Sequence, residues 1–371
     1  MVLHSASYAG VHNIVAHWGR ELDASEWQVV AIMHDEPGDA EETLRASGVR
    51  VIRMNFSRLQ RKPMQTLRWA MRLWPEIWRL RNTMLVNKVD IAISVRAFDF
   101  HAAVAGRLAG ASVVWHVVDS AFPPALRFVL GRVMRLLATE IVVISPLVGR
   151  MYGLPAGGNI TVIEPPSDER AFLAPSEPSE IFAGWVGPKV GIVEQLTPMK
   201  GIEYFIRAAA RIAAPRPDVR FYIIGGIHAG HEDYASGLRR LISDLQLTES
   251  VFMVGARYDL PRIFAGLNVL AVTSTKLSEG IPTVGINAMT AGVPVVASRV
   301  GGVPDLITNN VHGLLVPPGN AEATASAILS LLDDPDRAHR MGLAGRARVL
   351  SDYSIESWRN RYLQVFKRCL S

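Results

Sequence analysis

Short apolar runs bounded by Gly, Pro and polar clusters recur along the whole chain, and stretches with helical spacing separate most of them. Runs of four to eight such residues between turn signals predict buried strands. In the first half they fall at Val2–Ala6, Trp27–Met33, Gly48–Met54, Asp90–Ser94, Ser112–Val118, Thr139–Ser145 and Ile160–Ile163. In the second half they fall at Val190–Val193, Val219–Ile224, Val251–Val254, Asn268–Val272 and Val293–Ser298. Helices are predicted between them, for example over 11–22, 202–213, 234–245 and 260–267, and three more over 321–332, 335–350 and 354–370. Alternation of this kind predicts an α/β protein with parallel sheets and helices on both faces.

The alternation pauses once. Pro165, Pro166, Pro175 and Pro178 fall within residues 164–179, the best candidate for a domain boundary. With 371 residues the chain is long enough for two domains. The predicted organisation is a first domain over 1–164, a linker over 165–179, a second domain over 180–352 and a last helix over 353–371.

The second half centres on VTSTKLSEGIPTVGINAMTAGVPVVASRVGGVPDLI, residues 272–307. It reads as strand, loop, helix, strand, with Thr283 as helix N-cap and Gly292 and Pro294 as the stop. In a parallel sheet that loop lies at the carboxyl edge of the strand, where open α/β sheets bind ligands. The helix after it aims free N–H groups and a positive dipole end at the same edge. An anion at the helix start and a polyol near Glu279 suit this chemistry. So does an ordinary βαβ unit with a solvated Glu.

The residues resemble the donor-binding segment of the retaining family 4 glycosyltransferases, the glycosyl transferases group 1, which have the GT-B fold. Glu279-Gly280, Ala288-Met289, Gly292, Pro294-Val295-Val296-Ala297, Gly301-Gly302 and Pro304-Asp305 match that family's pattern. Asn287 stands where the family has a second Glu. The resemblance implies two Rossmann-like domains whose parallel sheets face each other across a cleft, and transfer of a sugar from a nucleotide diphosphate donor to a glycan or lipid-linked acceptor. It implies that Glu279 holds the donor sugar, with Gly280, Ile281, Pro282 and Thr283 near the sugar and distal phosphate. Asn287 would meet the ribose. Lys200-Gly201 matches the family's phosphate-contacting Lys-Gly, while Glu194 and Gln195 replace its Gly-Arg. Arg257 and Tyr258 fall near the expected nucleobase loop, and Gly10 where the family's glycine-rich loop faces the phosphates. His116 lies two residues before the position of a cleft histidine found in many relatives, which is Val118 here. It reads equally as a catalytic group or as a buried structural one. Glu279, Lys200 and His116 are the expected catalytic residues. The departures at Glu194, Gln195, Asn287 and Val118 keep a second reading open: a relative that binds nucleotide-sugar without turnover. An epimerase on the same fold needs acid–base residues that the pattern does not supply.

Composition narrows the setting. A hydrophobic content of 49% with 20% charged residues suits a large folded core. Cys369 is the only cysteine, which excludes an intrachain disulfide and points to a reducing compartment. The first residues lack the basic and apolar regions of a secretory signal. No apolar run approaches the about 20 residues that span a bilayer. A cytoplasmic protein is expected, peripheral at the inner membrane face. The net charge of +5 favours an anionic partner: nucleotide-sugar, anionic lipid or nucleic acid. Residues 53–88 concentrate Arg and Lys around Trp69, Trp74 and Trp78, with Glu76 as the only acid. Pro75 is expected to interrupt the helix there. Such a surface suits an anionic membrane face, and equally a domain helix with its arginines in water. No nucleic-acid module is recognisable, so nucleic acid is excluded. No cluster with metal-ligand spacing is evident, and neither a metal nor a cofactor is expected.

Overall fold

A computed structural model describes the chain except residues 4, 5, 7–9, 57–62, 96, 98, 119–121, 175, 228, 229 and 276–279, and side chains over 63–71 are not described either. The chain divides into two compact units, Met1–Glu164 with Trp358–Ser371, and Pro165–Ser357.

In the first unit, β1 (Val2–Leu3), β2 (Val30–His34) and β3 (Arg50–Met54) form one parallel sheet in that order. A second parallel sheet orders β4 (Ile91–Val95), β5 (Ser112–Val117), β6 (Glu140–Val143) and β7 (Ile160–Val162) consecutively. The helix Pro63–Val86 runs through Pro75 without a break. This corrects the expected interruption. Ile77, Leu80 and Met84 recur at helical spacing just beyond the proline and are all buried. That packing holds the helical path although the proline removes one N–H donor.

The terminal helix Ile355–Leu370 contributes its last turns to this unit. Trp358, Tyr362 and Phe366, at i, i+4 and i+8, form one aromatic stripe against Trp18. Arg368 donates to both carboxylate oxygens of Glu140 at 2.9 and 2.8 Å. Arg361 pairs with Glu164 at 2.7 Å.

The second unit is built on six parallel strands: β8 (Lys189–Val193), β9 (Arg220–Ile224), β10 (Val251–Gly255), β11 (Val269–Val272), β12 (Val295–Ser298) and β13 (Leu314–Val316). Their order across the sheet is β10-β9-β8-β11-β12-β13. The near-continuous apolar strands have a simple cause. Phe221 and Ile223 of β9 face one core, and Tyr222 and Ile224 face the other. Val269 and Ala271 of β11 divide from Leu270 and Val272 in the same way. A sheet covered on both faces needs no polar alternation. The edge strand β13 has no counterpart among the predicted strands, because three residues carry too little pattern to register.

Residues 165–179 pack on this second unit rather than forming a free connection. Ser167 is fully buried and shares a 2.7 Å hydroxyl contact with Thr290, and its N–H donates to the Tyr353 carbonyl at 2.7 Å. Phe172 sits 5.7 Å from the Phe264 ring.

Candidate functional site

The strand order reverses about β8. β9 and β10 run outward on one side, β11 and β12 on the other. Such a switch point opens a crevice at the carboxyl edge. Here the crevice is a cavity of about 490 Å3. Its walls are Val193 to Gln195 at the end of β8, Gly225 to Ile227 after β9, Ala256 and Arg257 after β10, and Ile281 to Val284 after β11. Gln195, Lys200, Arg257, Ile281, Pro282, Thr283 and Asn287 all line it. Seven of the eleven expected site residues are therefore gathered in one place. Gly280 is described but does not line the cavity. Glu279 lies outside the described residues. Gly10 opens the helix Gly10–Glu21 of the first unit.

Backbone contacts build this edge. The short turn Pro198–Lys200 ends on Gly201, left-handed at φ 61°. A Cβ there would collide with the Thr273 carbonyl, so the Lys-Gly pair is fixed sterically as well as chemically. The Thr273 hydroxyl donates to the Lys200 carbonyl at 3.1 Å, and the Thr275 N–H to that of Met199 at 3.0 Å. These bonds clamp the lysine loop to the end of β11. Gly225 passes so close to the Glu194 carbonyl that any side chain would strike it.

The Lys200 ammonium lies 2.9 Å from the Glu194 carboxylate, both side chains mostly buried. The acid that replaces the family's glycine thus points at the lysine. Arg257 is also engaged: it donates to Asp259 at 2.8 and 3.0 Å and to Glu180 at 3.2 Å. Those bonds hold the Asp259 carboxyl well below its ordinary range, helped by the Ser179 hydroxyl at 2.6 Å. Across the cavity the helix Thr283–Thr290 begins one residue earlier than expected. Pro282 is its N-cap and Thr283 its first residue, and no side-chain cap is made among the described residues. Proline brings a preset φ but no capping oxygen, so the helix start keeps N–H groups for a ligand. Asn287 follows Thr283 by one turn on the same face.

His116 is elsewhere. It is the fifth residue of β5 in the first unit, 1% exposed, with Nε2 3.1 Å from the Tyr362 hydroxyl. Burial pushes its pKa down to about 4, which keeps the ring neutral. Of the two readings of His116, this placement favours the structural one: the ring is enclosed and its partner is a core tyrosine. No group of three or more His, Cys, Asp or Glu able to hold a metal occurs among the described residues.

A lysine loop, a helix start without an N-cap side-chain bond and a switch-point crevice thus meet at one cavity. Residues 187–348 match the family model of the glycosyl transferases group 1. The second unit is a glycosyl transferases group 1 domain. Among its relatives is the GDP-mannose-dependent monoacylated alpha-(1-6)-phosphatidylinositol monomannoside mannosyltransferase of Corynebacterium glutamicum. It is 31% identical over 187 residues, 48% of this chain and 47% of that one. A GDP-mannose-dependent alpha-(1-6)-phosphatidylinositol monomannoside mannosyltransferase of Mycolicibacterium smegmatis is 32% identical over 215 residues, 56% of this chain and 53% of that one. The matches span about half the length of these curated relatives. The structure of Anabaena HepE in complex with UDP superposes with a TM-score of 0.82 at 20% identity, covering 99% of both chains. A glycosyltransferase from Rickettsia africae gives 0.83 at 19%, covering 100% of this chain and 98% of that one. Both likenesses establish the fold: α/β, two Rossmann-like domains, GT-B.

The group 1 domain also explains what the sequence left hidden. The Glu194–Lys200 pair joins residues on either side of a loop, and no local periodicity announces it. The glutamate in place of glycine was the available signal.

Proposed function

We propose that the chain is a retaining glycosyltransferase that moves a hexose-type sugar from a nucleotide diphosphate donor to a lipid-linked or glycan acceptor. The observation that carries this reading is the convergence of Lys200, Gln195, Thr283 and Asn287 on one cavity at the switch point of a group 1 domain. As the sugar–phosphate bond breaks, negative charge builds on the departing diphosphate. The Lys200 ammonium and the N–H groups opening the Thr283 helix meet that charge. Asn287 hydrogen-bonds the ribose, and Glu279 the sugar hydroxyls. The acceptor hydroxyl attacks from the leaving-group side, its proton passing to a phosphate oxygen. No step requires His116.

The mannosyltransferase relatives act, by their names, on phosphatidylinositol mannosides, which favours a lipid-linked acceptor here. Work at the inner membrane face fits the exposed Trp74 and Trp78 on the helix Pro63–Val86, with Arg81 stacked 4.6 Å over Trp78. Arg53, at the other end of the basic stretch, is instead paired with Glu41 and Asp35. No helix among the described residues is long and apolar enough to cross a membrane.

The second reading, nucleotide-sugar binding without turnover, is favoured by the Glu194–Lys200 pair, which offsets the lysine charge in the cavity. Donor hydrolysis and transfer across UDP- and GDP-sugars separates the two. Turnover of one donor, with the anomeric configuration retained by NMR, supports the transferase. Nucleotide binding with no turnover for any donor supports the second reading, and no nucleotide binding at all ends both.

A further inference from the structure

The helix Pro124–Leu137 of the first unit is apolar on both sides. Leu130, Gly131 and Met134 face the core. On the opposite face Phe128, Val129 and Leu136 are 55%, 54% and 76% exposed. Phe128, Arg132 and Leu136 stand at i, i+4 and i+8, with Val129 beside them, so they share one outward stripe. The helix carries Arg127, Arg132 and Arg135 and not one acid. The Arg132 guanidinium lies 3.6 Å over the Phe128 ring, and Arg135 donates to the Gly153 carbonyl at 2.8 Å. Large apolar side chains grouped on a surface and bordered by cations mark an interface.

We infer that this stripe seats on an anionic lipid surface, with Phe128, Val129 and Leu136 in the headgroup–acyl boundary and Arg132 and Arg135 on the lipid phosphates. Charge complementarity selects this occupant. A second copy laid symmetrically on the same face would oppose arginine to arginine, with no acid on the helix to answer them. A lipid surface supplies apolar depth and negative charge together. The inference goes beyond the membrane contact read from Trp74 and Trp78. It names a different helix and does not depend on the donor cavity.

The test is flotation of the full chain with phosphatidylcholine vesicles, with and without phosphatidylglycerol. Binding is expected with the anionic vesicles and is expected to weaken as salt is raised. The double variant Phe128→Ser with Leu136→Ser should lose about fivefold or more of that binding while melting as the parent does, because both side chains are exposed. A second measurement does not rely on lost binding. Cys369 is buried, and burial pushes its thiol up to about 11, so a fluorophore directs itself to the cysteine of a Phe128→Cys variant. An environment-sensitive label there should shift to the blue on anionic vesicles. The inference falls if anionic vesicles do not bind. It falls equally if they bind parent and double variant alike, or if they leave the label unshifted. It also falls if light scattering shows a dimer that the double variant converts to monomer.

Discussion

Lys200 and His116 invite comparison, because each is a basic side chain expected at a catalytic centre and the fold treats them in opposite ways. Lys200 follows its strand, on a loop clamped beside a cavity, with a carboxylate 2.9 Å away. His116 lies inside its strand, edge-on to the Tyr362 ring, with Nε2 beside that residue's hydroxyl. Near a cavity, a charge with a partner can persist and be handed to a ligand. In a core without a counter-charge, the ring stays neutral. Position relative to the strand end separates the two outcomes, since ligands in open parallel sheets meet what lies beyond it.

The sharpest way to break the comparison is Lys200→Ala. If Lys200 faces the leaving diphosphate, kcat/KM should fall by about 100-fold to 1,000-fold, roughly 3 to 4 kcal/mol of transition-state stabilisation. Steady-state transfer measures it, and an unchanged rate would remove the lysine from the mechanism.

His116 gives the next largest effect, in stability rather than rate. Its folded pKa of about 4 lies below the ordinary 6.5. Between those values the unfolded chain binds a proton that the native state refuses. The stabilisation is therefore full above pH 6.5 and is lost as pH falls toward 4. The span corresponds to about 3 kcal/mol. Urea melts at pH 7 and pH 5 should show a steeper acid loss for the parent than for His116→Gln. Equal losses would mean that the ring titrates normally.

These two residues also show where sequence reading stops. The apolar strands were legible because sheets buried on both faces need continuous apolar runs. The lysine loop and the Thr283 helix were legible because local chemistry alone makes an anion site: a lysine, glycines and a helix start. The choice between a catalytic and a buried His116 was not, since Tyr362 lies 246 residues away in sequence. The path of the helix through Pro75 was not either. It rests on tertiary contacts of Ile77, Leu80 and Met84 that outweigh a local breaking signal. Residues 165–179 read as a linker from their prolines, while the buried Ser167 hydroxyl that docks them has no sequence signature.

Glu194 sharpens the description of the lysine. Its carboxylate shares the charge that a diphosphate would claim, and it adds a negative charge beside that ligand. Glu194→Gln retains hydrogen bonding and removes the charge. Nucleoside diphosphate should then bind about tenfold more tightly, about 1.4 kcal/mol by calorimetry. Weaker binding would show that the carboxylate positions Lys200 more than it competes for it.

The smallest effect concerns Asn287, half-buried one turn into the helix that faces the lysine. An amide offers the ribose one neutral acceptor and one donor, whereas a carboxylate offers two charged acceptors to two hydroxyls. Asn287→Glu should therefore tighten the ribonucleotide by roughly fivefold, about 1 kcal/mol, the difference between a neutral and a charge-assisted hydrogen bond. The new carboxylate also adds negative charge to a cavity meant for an anion, which would weaken every nucleotide alike. The two effects part when UDP or GDP is compared with its 2′-deoxy analogue. A gain confined to the ribonucleotide places Asn287 at the sugar. A uniform loss means that the field outweighs the contact, and it would turn the asparagine from a weakened ligand into a fitting partner for a cavity that already holds Glu194.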